Sequence, residues 1–594
     1  MASSERVTYP TGGYQRYEYN TVATIGGSES TYGQGSRGII SRWVSPNGTG
    51  GADEAQWQYS ASVNPRRITA PDGSYTETYI FNAPVVQSNN FGYADARNGN
   101  AYDERVFAPN GTMLRRSLTD YAQSSSTTSK PVPPGTINSG TYTAYRNARP
   151  TKSVSLIFDK VGHALAKTMT YEYAANGCEF NTGLDLTAST ESYFDPVNQG
   201  DPQTAPISDV QPGTGTVASR AETTFLNDAA YLNRNILGLP TSVILKDGNN
   251  QPVSKSESFY DEDTYDENSL QSYNDFGNDW TSPGSLRGNL TTARRYLDPS
   301  AIVPQNVECP VGVCVATHAF FDQVGNAWKT QNERGVETTT EFPANYKHAF
   351  PTKVTSAVPD PFGTHGSNTT FTSESTFDET TGVVLTTKDV NGQITTFSYQ
   401  DDGGIPDPLN RLRKVTRPDG GWTKYSFGET PNDPMNQFAK VETRQDSTRT
   451  VISYQYTDPL GRPSRSFLSE GGGSYMATDT IYDSMGRVWQ VSNPYRTTTL
   501  NGLAALSHTS DWTESYYDAL SRIDYVKLPD SSIVDTDYDG IYTTVTDQAG
   551  RQRRQKTDAL GRIVRVDEMN TSWSLGTVDN PTQPSLYEYN TQEI

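Results

Sequence analysis

Aliphatic residues are scarce in this 594-residue chain. Hydrophobic residues make up 34% of it, or about 36% with Gly counted in place of Tyr, against the usual ~45–50%. Charged residues, at 20%, are also below the usual ~25%. This scarcity disfavours helical bundles and doubly wound α/β folds, which need thick aliphatic cores. Disorder is disfavoured too, because disordered chains lack aromatic residues and this chain has 11% Phe, Trp and Tyr.

Cysteine is nearly absent, with three residues in the whole chain. Three cysteines cannot build a disulfide framework. Cys309 and Cys314 are close enough in sequence to close a small loop in an oxidising compartment, and two unpaired thiols at a turn are the alternative. Cys178 is single in either case. A zinc site would need further Cys or His ligands nearby, and His318 alone does not complete a tetrahedral set.

Long apolar runs and excess basic charge are also missing. No stretch approaches the ~18 apolar residues of a membrane-spanning helix, and the first six residues lack the apolar core of a signal peptide. Any targeting signal is therefore expected outside this chain. The net charge of −20, from 48 basic and 68 acidic residues, argues against nucleic acid as a partner.

What the chain does contain is a short repeated unit: an aromatic residue or Thr, then Asp, two variable residues, Gly and usually Arg. Asp can bond the backbone ahead of it and Gly can adopt positive φ, so each unit predicts a turn, and the residues after it alternate with the period of a strand. The repeat-defining residues are Asp458, Gly461 and Arg462; Tyr482, Asp483, Gly486 and Arg487; Tyr517, Asp518 and Arg522; Asp547, Gly550 and Arg551; and Asp558, Gly561 and Arg562.

A second turn element, with Pro, Asp and Gly in sequence, lies between these units. Examples begin at Ala70 and Arg417, and Leu528-Pro-Asp-Ser is a copy with Ser in place of Gly. Together the two elements predict strand, turn, strand, turn along most of the chain. The unequal spacing of the units fits a winding sheet with variable loops better than a solenoid of identical rungs. The best helix candidate is 221–237, followed by Gly238-Leu-Pro240.

These units resemble the RHS/YD-repeat family of bacterial surface and toxin proteins, whose repeats also occur in eukaryotic teneurins. The resemblance implies an all-β fold of repeated hairpins, in a spiralling sheet that forms part of a hollow shell. It also implies one continuous shell in three stretches: a degenerate RHS-like region at 1–300, a transitional region at 301–379 and well-marked repeats at 380–594. The chain begins inside a turn unit and stops at the opening of another repeat, so we expect a fragment truncated at both ends.

The function that this resemblance implies is structural and non-enzymatic. Such a shell encloses or presents another polypeptide, either its own C-terminal region or an encapsulated toxin or effector, at or outside the bacterial cell surface. The family's self-cleavage motif is not matched, since Asp458-Pro-Leu-Gly461 is an ordinary repeat followed by Arg462. The alternative function is a carbohydrate-binding or adhesive cell-surface module that stacks surface glycans on exposed Tyr and Trp, such as Trp422 and Trp489.

Motifs for other chemistry are weak, and we predict no catalytic residue and no cofactor. Gly33 to Gly38 fits Gly-x-Gly-x-x-Gly, but a strand rather than a helix follows it, which favours a surface loop. Asp535, Asp537 and Asp539 copy the first half of a calcium loop, although the expected acid at its twelfth position is Thr546. The alternative is a strand that ends in a turn. The recurrent Arg is expected to pair with Asp or Tyr of a neighbouring hairpin rather than bind a ligand.

Overall fold

The fold is taken from a computed structural model. The residues it describes are 3–9, 11–21, 37–46, 48–51, 54–62, 64–82, 96–129, 141–174, 186–192, 194–199, 201–205, 207, 211–212, 216–262, 286–322, 324–360, 364, 366, 368–429, 437–502 and 511–589.

Strands dominate the described residues from one end to the other. The first thirteen are β1 (Ser3–Thr8), β2 (Tyr14–Thr21), β3 (Arg37–Ser45), β4 (Ala55–Tyr59), β5 (Arg66–Thr69), β6 (Tyr75–Ile80), β7 (Ala101–Phe107), β8 (Met113–Ser129), β9 (Thr141–Phe158), β10 (Ala164–Tyr173), β11 (Leu186–Ser192), β12 (Asp195–Gln199) and β13 (Gln211–Pro212). The next twelve are β14 (Val217–Phe225), β15 (Pro240–Asp247), β16 (Pro252–Tyr260), β17 (Leu290–Tyr296), β18 (Cys314–Phe321), β19 (Ala327–Gln331), β20 (Glu337–Glu341), β21 (Lys353–Thr355), β22 (Thr372–Phe377), β23 (Val384–Lys388), β24 (Ile394–Ser398) and β25 (Lys414–Thr416). The last fourteen are β26 (Trp422–Glu429), β27 (Gln437–Arg444), β28 (Thr450–Thr457), β29 (Pro463–Gly471), β30 (Ser474–Tyr482), β31 (Val488–Ser492), β32 (Tyr495–Thr497), β33 (Trp512–Tyr517), β34 (Ile523–Lys527), β35 (Ile533–Asp539), β36 (Tyr542–Thr546), β37 (Gln552–Thr557), β38 (Ile563–Glu568) and β39 (Gln583–Leu586).

These strands form one open, spiralling, antiparallel sheet, as the repeats predicted. Most strands pair with the next one along the chain, and the exceptions are local, such as β11 with β14 and β31 with β33. Pairing continues across both predicted regional boundaries, from β17 to β18 and from β22 to β23. Helix is limited, among the described residues, to α1 (Ala229–Leu232) and a 3₁₀ turn at Ala344–Tyr346. None of these helices is long and apolar enough to cross a membrane.

The predicted helix at 221–237 is wrong. Residues up to Phe225 belong to β14, where they pair in register with β15, and only Ala229–Leu232 are helical. The side chain of Asp228 accepts a hydrogen bond from the N–H of Ala230 and begins that single turn. Pairing with two neighbouring strands has outweighed the helix propensity of this segment.

Within the part of the chain that the structure describes, buried apolar side chains form three small clusters on the sheet rather than one core. One contains Leu118, Val154, Leu156, Ala164 and Ala166. A second contains Tyr296, Val303 and Cys314, with Cys309 packed beside it. A third contains Tyr456, Phe467 and Ala477. Cys309 and Cys314 are joined as a disulfide, which is one of the two arrangements that the sequence left open.

The sheet winds back onto itself within the chain. The N–H of Gly13 donates to the carbonyl of Pro459 (2.8 Å), and the N–H of Lys160 donates to Asp539 Oδ1 (2.9 Å). Lys167 Nζ donates to the carbonyl of Ala559 (3.0 Å). The partners in such contacts are 379 to 448 residues apart. One turn of the spiral therefore takes roughly that length of chain, and its later part lies against its beginning.

Candidate functional site

The best-defined arrangement in the molecule is the repeat turn, shown here by the unit at Asp483. Asp483 Oδ1 accepts hydrogen bonds from the N–H groups of Met485 and Arg487, each at 2.9 Å. The Asp483 N–H donates to the Arg487 carbonyl (2.8 Å), and the Gly486 N–H donates to the Asp483 carbonyl (3.0 Å). Gly486 has φ 89°, which bulky residues adopt only with strain. One carboxylate thus fixes the whole reversal.

The arginine of the unit connects its turn to the next hairpin. Arg487 Nε donates to Asp483 Oδ2 at 2.7 Å, and its guanidinium lies 4.7 Å from the ring centre of Tyr517. The Tyr517 hydroxyl in turn donates to the carbonyl of Val488, at 2.6 Å. Because Val488 directly follows Arg487, the tyrosine is held by both side chain and backbone of the preceding unit.

The same contacts recur in the other clear units. The carboxylate that each arginine binds is that of its own turn, whereas the tyrosine belongs to the next hairpin. The sets are Arg462 with Asp458, and Tyr482 with Pro463; Arg522 with Asp518, and Tyr538 with Ile523; and Arg562 with Asp558, and Tyr589 with Ile563. Gly461 and Gly561 have positive φ like Gly486, and Ser521 occupies that position, with φ 62°, in the Asp518 unit.

The unit at Asp547 makes the same turn with a different aromatic partner. Asp547 Oδ1 accepts from the N–H groups of Ala549 (2.9 Å) and Arg551 (2.8 Å), and Gly550 has φ 77°. The Arg551 guanidinium lies 4.8 Å from the ring centre of Trp573. An indole can therefore replace the tyrosine ring as the stacking surface.

One full copy of the unit escaped the sequence search. Asp407 accepts from the N–H groups of Leu409 (2.9 Å) and Arg411 (3.2 Å), and Arg411 Nη2 donates to its Oδ2 at 2.9 Å. Asn410 occupies the glycine position with φ 53°, which Asn tolerates better than most residues. The Arg411 guanidinium lies 4.1 Å from the ring centre of Phe427. A pattern that allowed Pro before the Asp and Asn in place of the Gly would match this copy.

Acid is expected to weaken the Asp407 turn. Its hydrogen bonds to Arg411 lower the pKa of the Asp407 carboxyl from 3.8 to about 2. This lowered pKa stabilises the folded state by up to about 2 kcal/mol. The stabilisation is fully present above pH 3.8 and is lost as the pH falls through about 2. We expect amide hydrogen exchange at Leu409 and Arg411 to accelerate over this window. Asp407→Asn should remove that dependence, and an unchanged pH profile in the variant would contradict the assignment.

A second recurrent arrangement, which the sequence motifs did not predict, is an arginine buried beside an acidic residue of a neighbouring strand. Arg465 and Asp479 are directly opposite in β29 and β30, and their side chains are 2% and 0% exposed. Three similar pairs are Arg116 with Asp103, Arg294 with Glu257 and Arg554 with Asp567. Each lies under a loop whose carbonyls its arginine also binds.

The loops held this way cover the sheet at four places along the chain. Arg294 donates to the carbonyls of Val303 (3.0 Å) and Val307 (2.9 Å), and Arg465 Nη1 donates to Asn501 Oδ1 (2.8 Å). The corresponding acceptors are the carbonyl of Pro202 for Arg116 and the carbonyl of Thr577 for Arg554. A buried guanidinium thus carries two functions, pairing with an acid and anchoring a loop.

Comparison with known proteins gives structural matches alone. Neither a family model nor a curated protein matches the sequence. The crystal structure of TcdB2-TccC3-TEV superposes with a TM-score of 0.60 at 8% identity, covering 98% of this chain and 36% of that chain. TcdB2-TccC3 without its hypervariable C-terminal region gives 0.59 at 9% identity with the same coverage. A mutant Tc holotoxin pore of Photorhabdus luminescens gives 0.56 at 9%, covering 98% and 35%.

This chain has the fold of these Tc toxin chains. It spans about a third of their length. The match covers nearly all of this chain, so the shared fold extends from its early strands to its late ones.

The three aspartates of the calcium candidate lie at alternate positions of β35. Asp537 forms an ion pair with Lys160, and Asp539 accepts the N–H of the same lysine. Both contacts join β35 to the turn that follows β9, one winding earlier in the spiral. Among the described residues, no group of three His, Cys, Asp or Glu side chains could hold a metal ion.

The two aromatic candidates for glycan stacking both lie in strands. Lys424 Nζ lies 4.7 Å from the ring centre of Trp422, and Trp489, 36% exposed, lies in β31.

His318, the histidine considered as a zinc ligand, shares a 2.9 Å hydrogen bond with Thr292, and burial lowers its pKa. Cys178 and the first four residues of the Gly33 loop are outside the described residues.

Proposed function

We propose that this chain is a wall segment of an RHS/YD-type shell that encloses or presents another polypeptide, a toxin or effector, at or outside the bacterial surface. The observation that carries the proposal is the contact between successive windings, in which residues such as Gly13 and Pro459 meet after one circuit of the sheet. A sheet that returns to its own beginning surrounds a space. The role is structural, and we assign no catalytic step to it.

Three further observations support a structural wall. The repeat turns are fixed internally by their Asp, and Arg and an aromatic residue, Tyr in most units, connect them to the next hairpin, as Arg487 and Tyr517 do. Apolar clusters are few and small, which suits a wall one sheet thick. The matching structures come from Tc toxin complexes, one of them without a hypervariable C-terminal region.

Imaging of the purified full chain tests the shell directly. Electron microscopy or small-angle scattering should show a curved wall around low internal density. A solid particle of the same mass, without internal volume, would reject the proposal.

A substitution at Gly13 should open the contact between windings. A Cβ at this position would lie 2.5 Å from the Pro459 carbonyl oxygen and 2.8 Å from its carbon, closer than real side chains approach backbone. We therefore expect Gly13→Ala to separate the two windings, increase the radius of gyration and expose the 459 region to proteases. Gly366→Ala is the matched control, because the nearest described atom to its Cβ would be Asp360 Cβ, at an ordinary contact distance of 3.6 Å. An unchanged radius for Gly13→Ala would show that the contact does not hold the windings together.

A further inference from the structure

Strands β2 to β4 carry two copies of the same side-chain arrangement on opposite faces of the sheet. In each copy an arginine lies directly opposite a tryptophan of the next strand: Arg16 opposite Trp43, and Arg42 opposite Trp57. The guanidinium lies over the indole in both, 3.8 Å from the ring centre of Trp43 and 4.7 Å from that of Trp57. Because Arg42 and Trp43 are neighbours in β3, their side chains point to opposite faces. The two copies can therefore be compared directly.

The copy at Arg16 is completed by an acid. Arg16 Nε donates to Glu54 Oε1 at 3.3 Å, and its Nη2 donates to Oε2 at 3.0 Å. The Tyr14 hydroxyl also donates to Glu54 Oε1, at 2.6 Å. A guanidinium that stacks on an indole thus has its N–H groups bound by both oxygens of a carboxylate, which is a strong and specific partner of arginine.

The copy at Arg42 has no such acid. Among the residues that the structure describes, none forms an ion pair or a hydrogen bond with its guanidinium, and its Nε is buried without a partner. Glu5, the acid in the same cross-strand row, lies opposite Tyr17 and thus two strands from Arg42, roughly 10 Å away at the usual strand spacing. Arg294 and Arg413 also bury an Nε without a partner, but each bonds a carboxylate through Nη1. Because a buried charged donor without a partner is unfavourable, the N–H groups of Arg42 are available to an anionic ligand.

Aromatic and polar side chains flank Arg42 on its own face. Tyr17 lies directly opposite it on β2, so Arg42 is between Tyr17 and Trp57. The Tyr17 hydroxyl donates to Gln15 Oε1 at 2.6 Å, and the Gln15 amide donates to the Tyr9 hydroxyl. Arg42, Tyr17 and Trp57 are each partly exposed, so a ligand can reach them from solvent. Arg42, Trp57, Tyr17 and Gln15 are called here the Arg42 site.

We propose that the Arg42 site binds an acidic sugar, a sugar unit with a single carboxylate such as a uronic acid. The sugar carboxylate takes, at Arg42, the place that the glutamate occupies in the other copy. The C–H groups of the sugar ring lie against the exposed part of Trp57, and its hydroxyls exchange hydrogen bonds with the neighbouring tyrosine and glutamine. The site is formed by the first strands alone, so this inference does not depend on the proposed shell.

Charge and chemistry favour such a sugar over other anions. The chain has a net charge of −20, which repels polyanions such as nucleic acids and heavily sulfated glycans, whereas a single carboxylate adds little repulsion. A carboxylate also matches the guanidinium in geometry. An acidic side chain of another polypeptide offers the carboxylate without the ring hydroxyls, so the two ligand classes can be separated by experiment.

Two glycosides that differ in one group test the site. Methyl β-D-glucuronide has a carboxylate where methyl β-D-glucoside has a hydroxymethyl group. Saturation-transfer NMR with the full chain should give a dissociation constant at least about fivefold lower for the glucuronide, the effect of a charge-assisted hydrogen bond. In Arg42→Met this preference should disappear. Arg449→Met is the control for net charge and should keep it, because Arg449 is an arginine of an exposed turn, with its side chain 77% exposed.

Thermal unfolding separates a binding role from a structural one. Arg16→Met should lower the melting temperature, because it leaves Glu54 without its partner. Arg42→Met should not, because no acid of the described residues loses a partner. Equal affinity for the two glycosides, or an equal loss of stability in the two variants, would overturn the proposal. N-acetylglutamate α-amide represents a polypeptide carboxylate: weaker binding than the glucuronide supports the sugar, and equal or tighter binding would overturn that assignment.

Discussion

Replacing Arg465 by Met is expected to reduce the free energy of unfolding by about 3–5 kcal/mol. Its partner Asp479 is 0% exposed, and Arg465 supplies it with two hydrogen bonds, from Nε at 2.5 Å and from Nη2 at 2.9 Å. Without the guanidinium, the carboxylate keeps only neutral donors such as the Tyr495 hydroxyl. The loop at Asn501 would also lose its anchor. Urea denaturation followed by circular dichroism measures the change.

A surface pair and a double variant complete this experiment. Lys388→Met breaks the ion pair with Glu374, whose side chains are 42% and 45% exposed, and should cost no more than about 1 kcal/mol. Arg465→Met combined with Asp479→Leu removes both buried charges, so it should recover much of the stability lost by Arg465→Met alone. If the two single variants lose equal stability, the buried pair has no special role in the wall.

The large loss of stability expected when one partner is removed indicates how buried ion pairs act in a sheet with little apolar core. A buried ion pair adds little stability over a hydrophobic pair of the same size, but a mismatched one is heavily penalised. A one-residue slip of β30 against β29 would move Asp479 to the opposite face from Arg465. We infer that the four buried pairs favour the correct strand register in a sheet whose apolar clusters are small.

The fold could be predicted from sequence because its signal is local. Asp, Gly and Arg at fixed offsets specify a turn within five residues, and alternation in the next segment specifies a strand. The local pattern missed the Asp407 unit, because Asn410 occupies the position of the glycine there and adopts positive φ in its place. It failed again at 221–237, where pairing of β14 with β15 decided the structure.

The contacts between distant parts of the chain had no sequence signal that could be used. Arg116 and Asp103 are ordinary charged residues until the register of β7 and β8 brings them together under the loop at Pro202. Lys160 meets Asp537 only after a full winding of the sheet. The local sequence offers Asp537 either as one ligand of a half calcium loop or as part of a strand that ends in a turn, and neither interpretation contains the lysine that lies beside it in the spiral.

The second large effect is expected at the repeat turn itself. Asp483→Ala removes two backbone hydrogen bonds and the ion pair with Arg487 in one step. Hydrogen bonds to charged groups contribute about 1.5–3 kcal/mol each, and partial exposure of this carboxylate reduces the sum, so we expect a loss of about 2–4 kcal/mol. Amide hydrogen exchange at Met485 and Arg487 measures it as a lower free energy of local opening.

Asp419→Ala is the control that separates the repeat unit from an ordinary turn. Asp419 lies in an exposed Pro-Asp-Gly turn and accepts the N–H of Gly421 (2.8 Å), so its loss should cost about 1 kcal/mol. Asp483→Asn should fall between the two, because an amide oxygen still accepts the backbone hydrogen bonds but carries no charge for Arg487. The variants should also differ in how far along the chain amide exchange accelerates. Asp483→Ala frees Arg487 from its carboxylate, so faster exchange should extend to the strand of Tyr517. Exchange that accelerates only inside the turn would show that Arg487 and Tyr517 do not join neighbouring hairpins.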